Sequence, residues 1–319
     1  MKVEIIICTY NRANQLKATI QSILDAELPE NVSVRLIIVD NNSSDNTKVI
    51  MEEFLSSNLK IVIEYLFEGK IGKSYALNSA LNHITGDLIA FTDDDVTVDK
   101  NWIREMISAA KRYHKYSCFG GKVLAVYSED IPEWLDITGS MKFLKSVFAN
   151  RDDGDIEIEY EKGTISKNPG GVNMFFRRNI IEKNGYFRTD LGPKGKKLGF
   201  SEDTEYCQRL VKNGEKFMYI PSAIIYHSIH PERLNKKYLL HWQYNCGRSE
   251  VRRNGGYKNT IKFLGVPRYI YRKFLEHIVG WSLSHQSKKR FFHKLRLYYT
   301  TGELVEHFRI NFKKGCSTT

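Results

Sequence analysis

Three consecutive carboxylates, Asp93, Asp94 and Asp95, are the residues of this chain best suited to chemistry. They follow an apolar run from Gly86 to Thr92 that predicts a buried strand. Adjacent carboxylates at the end of a buried strand repel one another and lose solvation, so a positive charge should offset them. Oxygen ligands in this position suit Mg²⁺ or Mn²⁺, which commonly link one or two carboxylates to a substrate phosphate. The alternative is a solvated acidic turn.

Three further polar clusters follow apolar segments in the first 100 residues. Each segment predicts a strand, and helical periodicity separates successive strands, which indicates parallel βαβ units in a doubly wound α/β sheet. In such sheets ligands bind beyond the carboxyl ends of the strands, where all these clusters would lie. Neither a GxGxxG fingerprint nor a P-loop is present. The clusters are Thr9 to Arg12, Asp40 to Asp45 and Phe67 to Lys73.

Length and composition set the class of protein. A chain of 319 residues, 42% hydrophobic and 27% charged, predicts a large globular domain with an appendage. Five scattered cysteines without CxxC spacing argue against a zinc site or a disulfide framework and favour a reducing cytosol. No signal-like leader precedes the first strand, and no window has the ~20 apolar residues of a membrane span. We therefore expect a cytoplasmic protein.

The net charge of +11 is concentrated in the last quarter of the chain. From residue 232 onward there are 19 Lys and Arg against 5 Asp and Glu, whereas residues 1–231 carry a net charge of −3. We therefore predict a catalytic domain over 1–231 and a basic, aromatic-rich helical region over 232–319. The asymmetry indicates an anionic partner. This region could dock on the inner face of the plasma membrane, or its aromatic stripes could pack on the body of the protein.

Six motifs follow one another in order over about residues 1 to 250: Cys8 to Arg12, Val39 to Asp45, Gly86-Asp87 with Asp93 to Asp95, Gly170-Gly171 with Asn173, Ser201 to Glu205, and Tyr226-His227. With these motifs the chain resembles family 2 glycosyltransferases with the GT-A fold, a Rossmann-like, mostly parallel sheet flanked by helices. The resemblance implies inverting transfer of a sugar from a nucleotide donor, usually UDP-linked, with Mn²⁺ or Mg²⁺ as cofactor. The implied acceptor is a glycan or a polyprenyl-linked glycan of bacterial polysaccharide synthesis.

The resemblance places the nucleotide sugar against residues 1–100. Asp40 is implied to accept a hydrogen bond from the nucleobase, although a helix N-cap is an alternative role. Arg12, with Thr9 and Tyr10, is implied to flank the nucleobase or the diphosphate. Lys73 is implied to contact the diphosphate or the base. Either cation could instead be an ordinary exposed residue of a loop or of a helix start.

The acidic motif is implied to bind both ribose and metal. Asp93, with Asp94, would reach the ribose, and Asp95 would bind the cation. The cation draws charge from the diphosphate as the glycosidic oxygen leaves. His227, after the last strand, would supply an imidazole to the same cation. A structural role for His227, or ligation by His230 instead, is the alternative.

Asp203 is the candidate general base, because inverting transfer needs a carboxylate that takes the proton of the acceptor hydroxyl. Glu202 and Glu205 would raise its proton affinity by like-charge repulsion. The same residues also suit the acidic first turn of a helix. Ser201 departs from the family pattern, in which many members have glycine before the Glu-Asp pair.

The half of the domain over 101–231 is implied to bind the acceptor through Gly170, Gly171, Asn173 and Trp134. Aromatic faces stack well on sugar rings, although Trp134 could equally belong to the core.

Two other classes of function compete with this one. A nucleotidyltransferase would share the sheet and a metal-bound carboxylate set, but it would normally need a glycine-rich basic loop near the N-terminus. A nucleic-acid-binding protein would explain the basic tail but would leave the strand-end clusters without a purpose. We therefore expect no nucleic-acid partner.

Overall fold

Strand-helix repeats open the chain, as the alternating pattern predicts. The computed structural model describes residues 1–160, 168–256 and 260–316, with side chains to residue 312. The opening elements are β1 (Lys2–Thr9), α1 (Ala13–Leu24), β2 (Ser33–Asp40), α2 (Thr47–Leu55), β3 (Val62–Phe67), α3 (Lys73–Leu81) and β4 (Leu88–Thr92). These strands are parallel neighbours in the order β3-β2-β1-β4. The predicted α/β architecture is confirmed.

The pairing register brings the ends of these strands to one edge of the sheet. Thr9 lies opposite Asp40, Asp40 lies opposite Phe67, and Ile7 lies opposite Thr92. Strands β1, β2 and β4 are almost wholly buried because helices or later segments cover both sheet faces, whereas edge strand β3 is half-exposed. The polar residues that follow each strand therefore converge at this edge.

Antiparallel strands extend the same sheet. The remaining elements of this part are β5 (Val96–Val98), α4 (Trp102–Arg112), β6 (Cys118–Tyr127), β7 (Ile158–Glu159), β8 (Met174–Arg177), α5 (Arg178–Asn184), α6 (Glu202–Lys212) and β9 (Phe217–Ile229). Their order after β4 is β8-β6-β9-β5, and β7 pairs with β9. Strand β8 thus separates β4 from β6, and the β5–β9 pairing places His227 opposite Val96, directly after the acidic motif.

The chain forms two compact units. The first consists of Met1–Val126, Ala149–Thr189 and Glu202–Ser228, and it contains nearly the whole sheet. The second consists of Tyr127–Phe148, Asp190–Ser201 and Ile229–Thr319. The second unit therefore includes two segments that precede residue 231 as well as the basic C-terminal region.

Helices dominate the second unit. They are α7 (Lys236–Arg253), α8 (Arg268–Leu283) and α9 (Ser287–Cys316), with a hairpin of β10 (Lys262–Phe263) and β11 (Val266–Pro267) between α7 and α8 and short 3₁₀ turns at Lys142–Phe148 and Pro231–Leu234. Helix α9 packs against both α7 and α8. Where α7 crosses α9, a Cβ on Gly302 would lie 2.0 Å from the carbonyl oxygen of Tyr244, so the two backbones touch. Buried Glu306 of α9 pairs with Arg248 and Arg252 of α7. The predicted C-terminal helical extension is confirmed.

Across the described ranges, no helix combines the length and the apolar composition needed to cross a membrane.

Candidate active site

The acidic motif after β4 is neutralised in part by Arg12. Its Nη1 donates to Asp94 Oδ1 at 2.8 Å and to Asp95 Oδ2 at 3.0 Å. Thr9 Oγ1 donates to the second oxygen of Asp94 at 2.8 Å. Burial raises the pKa of Asp94, the positive charge of Arg12 partly opposes this rise, and the resulting pKa is about 6. The side chains of Thr9 and Arg12 therefore hold the acidic motif in place, and Arg12 is not an unengaged loop cation.

Lys73 connects the acidic motif to the start of α6. It is the first residue of α3, and its Nζ donates to Asp93 Oδ1 and lies 3.9 Å from Glu202 Oε1. Burial would lower the pKa of Lys73, but the Asp93 and Glu202 carboxylates raise it above its ordinary value. Lys73 is thus an ion-paired residue between two acidic segments that are more than 100 positions apart in the chain, and it is not an exposed helix-start lysine.

Asp95 and His227 could hold part of a divalent metal site. His227 Nε2 lies 3.4 Å from Asp95 Oδ1, and both side chains are buried. Atoms at that separation can bind one ion at ligand distances of about 2.0–2.2 Å. Within residues 1–160, 168–256 and 260–316, no three His, Cys, Asp or Glu side chains form a metal cluster. The pair fits an ion that takes its other ligands from water and a substrate phosphate, as Mg²⁺ and Mn²⁺ commonly do.

The candidate base is held by the backbone of the Gly170-Gly171 turn. The amide of Gly171 donates to Asp203 Oδ2 at 2.8 Å, and the amide of Thr204 donates to Asp203 Oδ1 at 2.6 Å. A Cβ on Gly171 would lie 2.9 Å from Asp203 Oδ2, which is too close for an unshifted neighbour. Glycine at this position therefore allows the backbone to approach and orient the carboxylate.

Asn173 does not present its side chain to an acceptor, contrary to the predicted acceptor contact. It is 1% exposed, and its amide nitrogen donates to the carbonyls of Lys122 and Ala223. Its amide oxygen accepts a hydrogen bond from Trp102 Nε1 at 3.0 Å. Buried amides need such partners, so this network fixes the segment that follows Gly170-Gly171. Asn173 and Trp102 together hold this segment in position, and no pattern in the sequence indicated the role of Trp102.

Asp40 is engaged at both carboxylate oxygens. Oδ1 accepts from the amide of Ser43 at 2.8 Å, and Oδ2 accepts from Tyr65 Oη at 2.8 Å. The start of α2 is stabilised by Asp45 instead, whose Oδ1 accepts from the amide of Thr47 at 3.1 Å. Asp40 is therefore not the N-cap of α2, and a base contact would use the remaining acceptor capacity of its carboxylate.

Asn41 is a site residue that the sequence reasoning did not single out. Its Oδ1 accepts from the amide of Gly72 at 2.6 Å, and its Nδ2 donates to the carbonyl of Lys70 at 2.8 Å. Gly72 has a φ of 148°, a conformation that favours glycine. Asn41 thereby fixes the loop that delivers Lys73. The sequence feature that could have indicated this role is the position of Asn41 directly after Asp40, at the end of a predicted strand.

Trp134 belongs to the second unit, where it contacts other residues of that unit. Its ring meets Phe291 edge-on, with centroids 5.2 Å apart, and Lys236 Nζ lies 4.8 Å from the ring centroid. Its acceptor contact stays a prediction. Tyr10 is half-buried in the loop after β1, and its donor contact is likewise a prediction.

Ser201 has a strained backbone directly before the acidic residues of α6. Its φ is 76°, where side chains other than glycine cost about 1–2 kcal/mol. Ser201→Gly should therefore raise the free energy of unfolding by about 0.5–1 kcal/mol after the extra chain entropy of glycine is subtracted. Ser201→Ala is the control, since alanine keeps the strain. Urea unfolding of both variants tests this, and equal stability of the glycine and alanine variants would contradict it.

Glu202 should make stability depend on pH. Burial, and then the adjacent Asp203 carboxylate, raise its pKa from 4.5 to about 7. A carboxyl group whose pKa is higher in the folded state stabilises the fold most below its unfolded pKa, and that stability is lost as pH rises through about 7. Relative to Glu202→Gln, the wild type should lose about 3 kcal/mol between pH 4 and pH 8. Urea unfolding in EDTA over that range tests this, and a constant difference between the two proteins would contradict it.

Comparisons with known proteins agree on one family and one fold. Residues 4–185 match the family model for glycosyl transferase family 2. The succinoglycan biosynthesis protein ExoM of Rhizobium meliloti is 25% identical over 253 residues, which cover 79% of this chain and 75% of that protein. The glucosyl-dolichyl phosphate glucuronosyltransferase of Haloferax volcanii is 25% identical over 243 residues, which cover 75% of this chain and 73% of that protein.

Solved structures show a similar fold at lower sequence identity. The mannosyltransferase PcManGT of Pyrobaculum calidifontis, solved with GDP-Man and Mn²⁺, superposes with a TM-score of 0.60 at 16% identity, over 95% of this chain and 86% of its own. S. aureus TarS 1-349, solved with UDP-GlcNAc, superposes with a TM-score of 0.53 at 16% identity, over 99% and 92% of the two chains.

Proposed function

Because the chain belongs to glycosyl transferase family 2 and has the GT-A fold, we propose a specific form of sugar transfer for it. The protein is a glycosyltransferase that uses a nucleotide-sugar donor. Its family membership favours this function over nucleotidyl transfer and over nucleic-acid binding. The proposed reaction is inverting, metal-dependent transfer from a UDP-sugar to a hydroxyl group of a glycan or polyprenyl-linked glycan. The observation that carries the proposal is that Lys73 joins Asp93 to Glu202, the neighbour of the candidate base.

On the donor side, Asp95 and His227 would hold Mn²⁺ or Mg²⁺. When bound, the cation stabilises negative charge on the departing diphosphate. PcManGT was solved with Mn²⁺ and a nucleotide sugar, which supports a divalent cation for a protein of the same fold. Arg12 and Lys73, which lie beside the acidic motif, would add positive charge for the phosphates.

The remaining donor contacts follow from position at the sheet edge. Asp93 and Asp94 would bind the ribose, and Asp40 would accept a hydrogen bond from the nucleobase, with Thr9 and Tyr10 in the adjoining loop. Because Thr9 already donates to Asp94, its contribution is to orient that carboxylate.

On the acceptor side, Asp203 would take the proton from the attacking hydroxyl group. Its carboxylate is oriented by the amide of Gly171 and directly follows Glu202 in the chain. Gly170 and Gly171 leave the turn beside the base without side chains, so a sugar ring could approach. A relative named for glucosyl-dolichyl phosphate supports a polyprenyl-linked acceptor.

A panel of donors tests the proposal. The protein is mixed with UDP-, GDP- and dTDP-sugars with and without Mn²⁺, and thermal stability and slow release of free nucleotide are measured. We expect UDP-sugars alone to raise the melting temperature and to be hydrolysed, in both cases only with metal. Tight, salt-sensitive binding of RNA without a response to any nucleotide sugar would contradict the proposal.

A further inference from the structure

Helix α8 exposes an aliphatic stripe. Leu275, Val279 and Leu283 recur every four residues, so they lie on one face, and they are 60%, 53% and 70% exposed. Helix α8 also packs against α9. Large aliphatic side chains grouped on one exposed helix face indicate a surface that is covered by something apolar.

Cations surround this stripe. Residues 260–302 contain nine Lys and Arg but a single acid, Glu276. Arg268 and Arg272 are exposed on α8 ahead of the stripe. At its other end, the exposed residues Lys288, Lys289 and Arg290 open α9. A covering partner must therefore be apolar within and negatively charged at its surface.

The hairpin before α8 exposes a second group of apolar side chains, and one of them, Leu264, lies in a backbone conformation that leucine rarely adopts. Ile261, Phe263 and Leu264 are 73%, 56% and 68% exposed. Leu264 has a φ of 49° and is followed by Gly265 at 77°, so the tight turn places a leucine where asparagine or glycine is normally preferred. The strained backbone destabilises the hairpin, and exposure of the leucine side chain to water adds no compensating gain. Burial of that side chain in an apolar partner would supply one.

The end of the stripe opens into a cavity between α8 and α9. Its volume is about 430 Å³, and its lining includes Val279 and Leu283 of the stripe together with Lys289. The rest of the lining is polar and includes Ser284, Gln286 and His293, so the cavity offers aliphatic side chains and a cation together, as a lipid with an anionic headgroup requires.

We propose that the α8 stripe and the Ile261–Leu264 turn form a face that binds an anionic phospholipid bilayer. The aliphatic side chains would enter the interfacial region, and the cations at both ends of α8 would contact lipid phosphates. This inference does not depend on the proposed transfer reaction. It names the residues through which the basic C-terminal region would contact an anionic partner.

Vesicle sedimentation with the full chain tests this face. Vesicles of phosphatidylcholine with and without about 30% phosphatidylglycerol are compared at low and high salt. The stripe variant is Leu275→Gln/Val279→Gln/Leu283→Gln, the turn variant is Leu264→Asn, and the charge variant is Lys288→Gln/Lys289→Gln. The matched control is Leu55→Gln, which alters a 48%-exposed leucine of α2 in the first unit. Hydrolysis of a soluble nucleotide sugar by each variant reports on the transfer site separately.

We expect the wild type to bind anionic vesicles in a salt-sensitive manner. The stripe, turn and charge variants should each reduce partitioning by about tenfold, and the Leu55 control should not. Leu264→Asn should keep or raise the urea midpoint because asparagine tolerates the left-handed conformation, so its loss of binding could not be attributed to unfolding. Equal binding to both vesicle types, or unchanged partitioning of the stripe and turn variants, would overturn the proposal. A stripe that instead holds a protein dimer together, without vesicle binding, would also overturn it.

Discussion

Asp203→Asn should lower sugar transfer by about 10²–10⁴-fold, because a positioned general base commonly contributes that much and an amide cannot accept the proton. Donor affinity should change by less than about threefold, since the role proposed for Asp203 is toward the acceptor and asparagine keeps nearly the same shape. The amide of Gly171 can still donate to the asparagine side-chain oxygen, so the turn should persist, while the amide of Thr204 loses its side-chain acceptor. Initial rates and nucleotide titrations on the same preparation measure both effects.

Glu205→Gln is the matched control for Asp203→Asn. Glu205 lies on the same first turn of α6 but pairs with Arg209 at 3.2 Å. Its replacement removes one carboxylate from the turn but leaves the Asp203 carboxylate in place, and Arg209 already offsets the charge of Glu205, so turnover should stay within about threefold of the wild type. Near-normal turnover of Asp203→Asn would show that another group takes the proton.

Asp95→Asn should weaken nucleotide binding in Mn²⁺ by about 100-fold and leave the much weaker metal-free binding unchanged. The substitution removes the anionic ligand that would link the cation to the sheet edge, while Arg12 keeps its contact with Asp94. The fold should survive, because the change also removes repulsion between two adjacent buried carboxylates. Calorimetric titration of UDP with and without Mn²⁺ measures the effect.

Asp99→Asn controls for the change of net charge. Asp99 follows β5, and its carboxylate accepts a hydrogen bond from the amide of Asn101, a role that asparagine can also fill. Its binding curves should match those of the wild type with and without metal. If Asp95→Asn retained the full metal dependence, Asp95 would not be a ligand.

The parallel half of the sheet was predictable because its signals are local. Apolar strands alternate with helical periodicity, and parallel pairing then requires that the polar residues after β1, β2, β3 and β4 meet at one edge. The antiparallel half was not predictable in the same way. Strand β8 lies between β4 and β6 although it is distant from both in sequence, and such pairings depend on tertiary packing.

Within the site, the sequence indicated which residue types gather but not how each side chain is oriented. Lys73 contacts Glu202 only because α3 and α6 begin near the same strand ends. Asn173 follows a glycine turn, as expected of an acceptor site, yet the alternation of side chains at the start of β8 turns it inward toward Trp102. The positive φ of Ser201 gives a physical reason why glycine would suit that position better than serine.

Crystals grown with UDP and Mn²⁺, with data collected at the manganese absorption edge, would show whether Asp95 and His227 hold the cation. We expect an anomalous peak within about 2.0–2.3 Å of Asp95 Oδ1 and His227 Nε2, with the diphosphate of UDP completing the coordination. A nucleotide bound elsewhere would contradict it, as would a nucleotide at this edge of the sheet with no ion between Asp95 and His227.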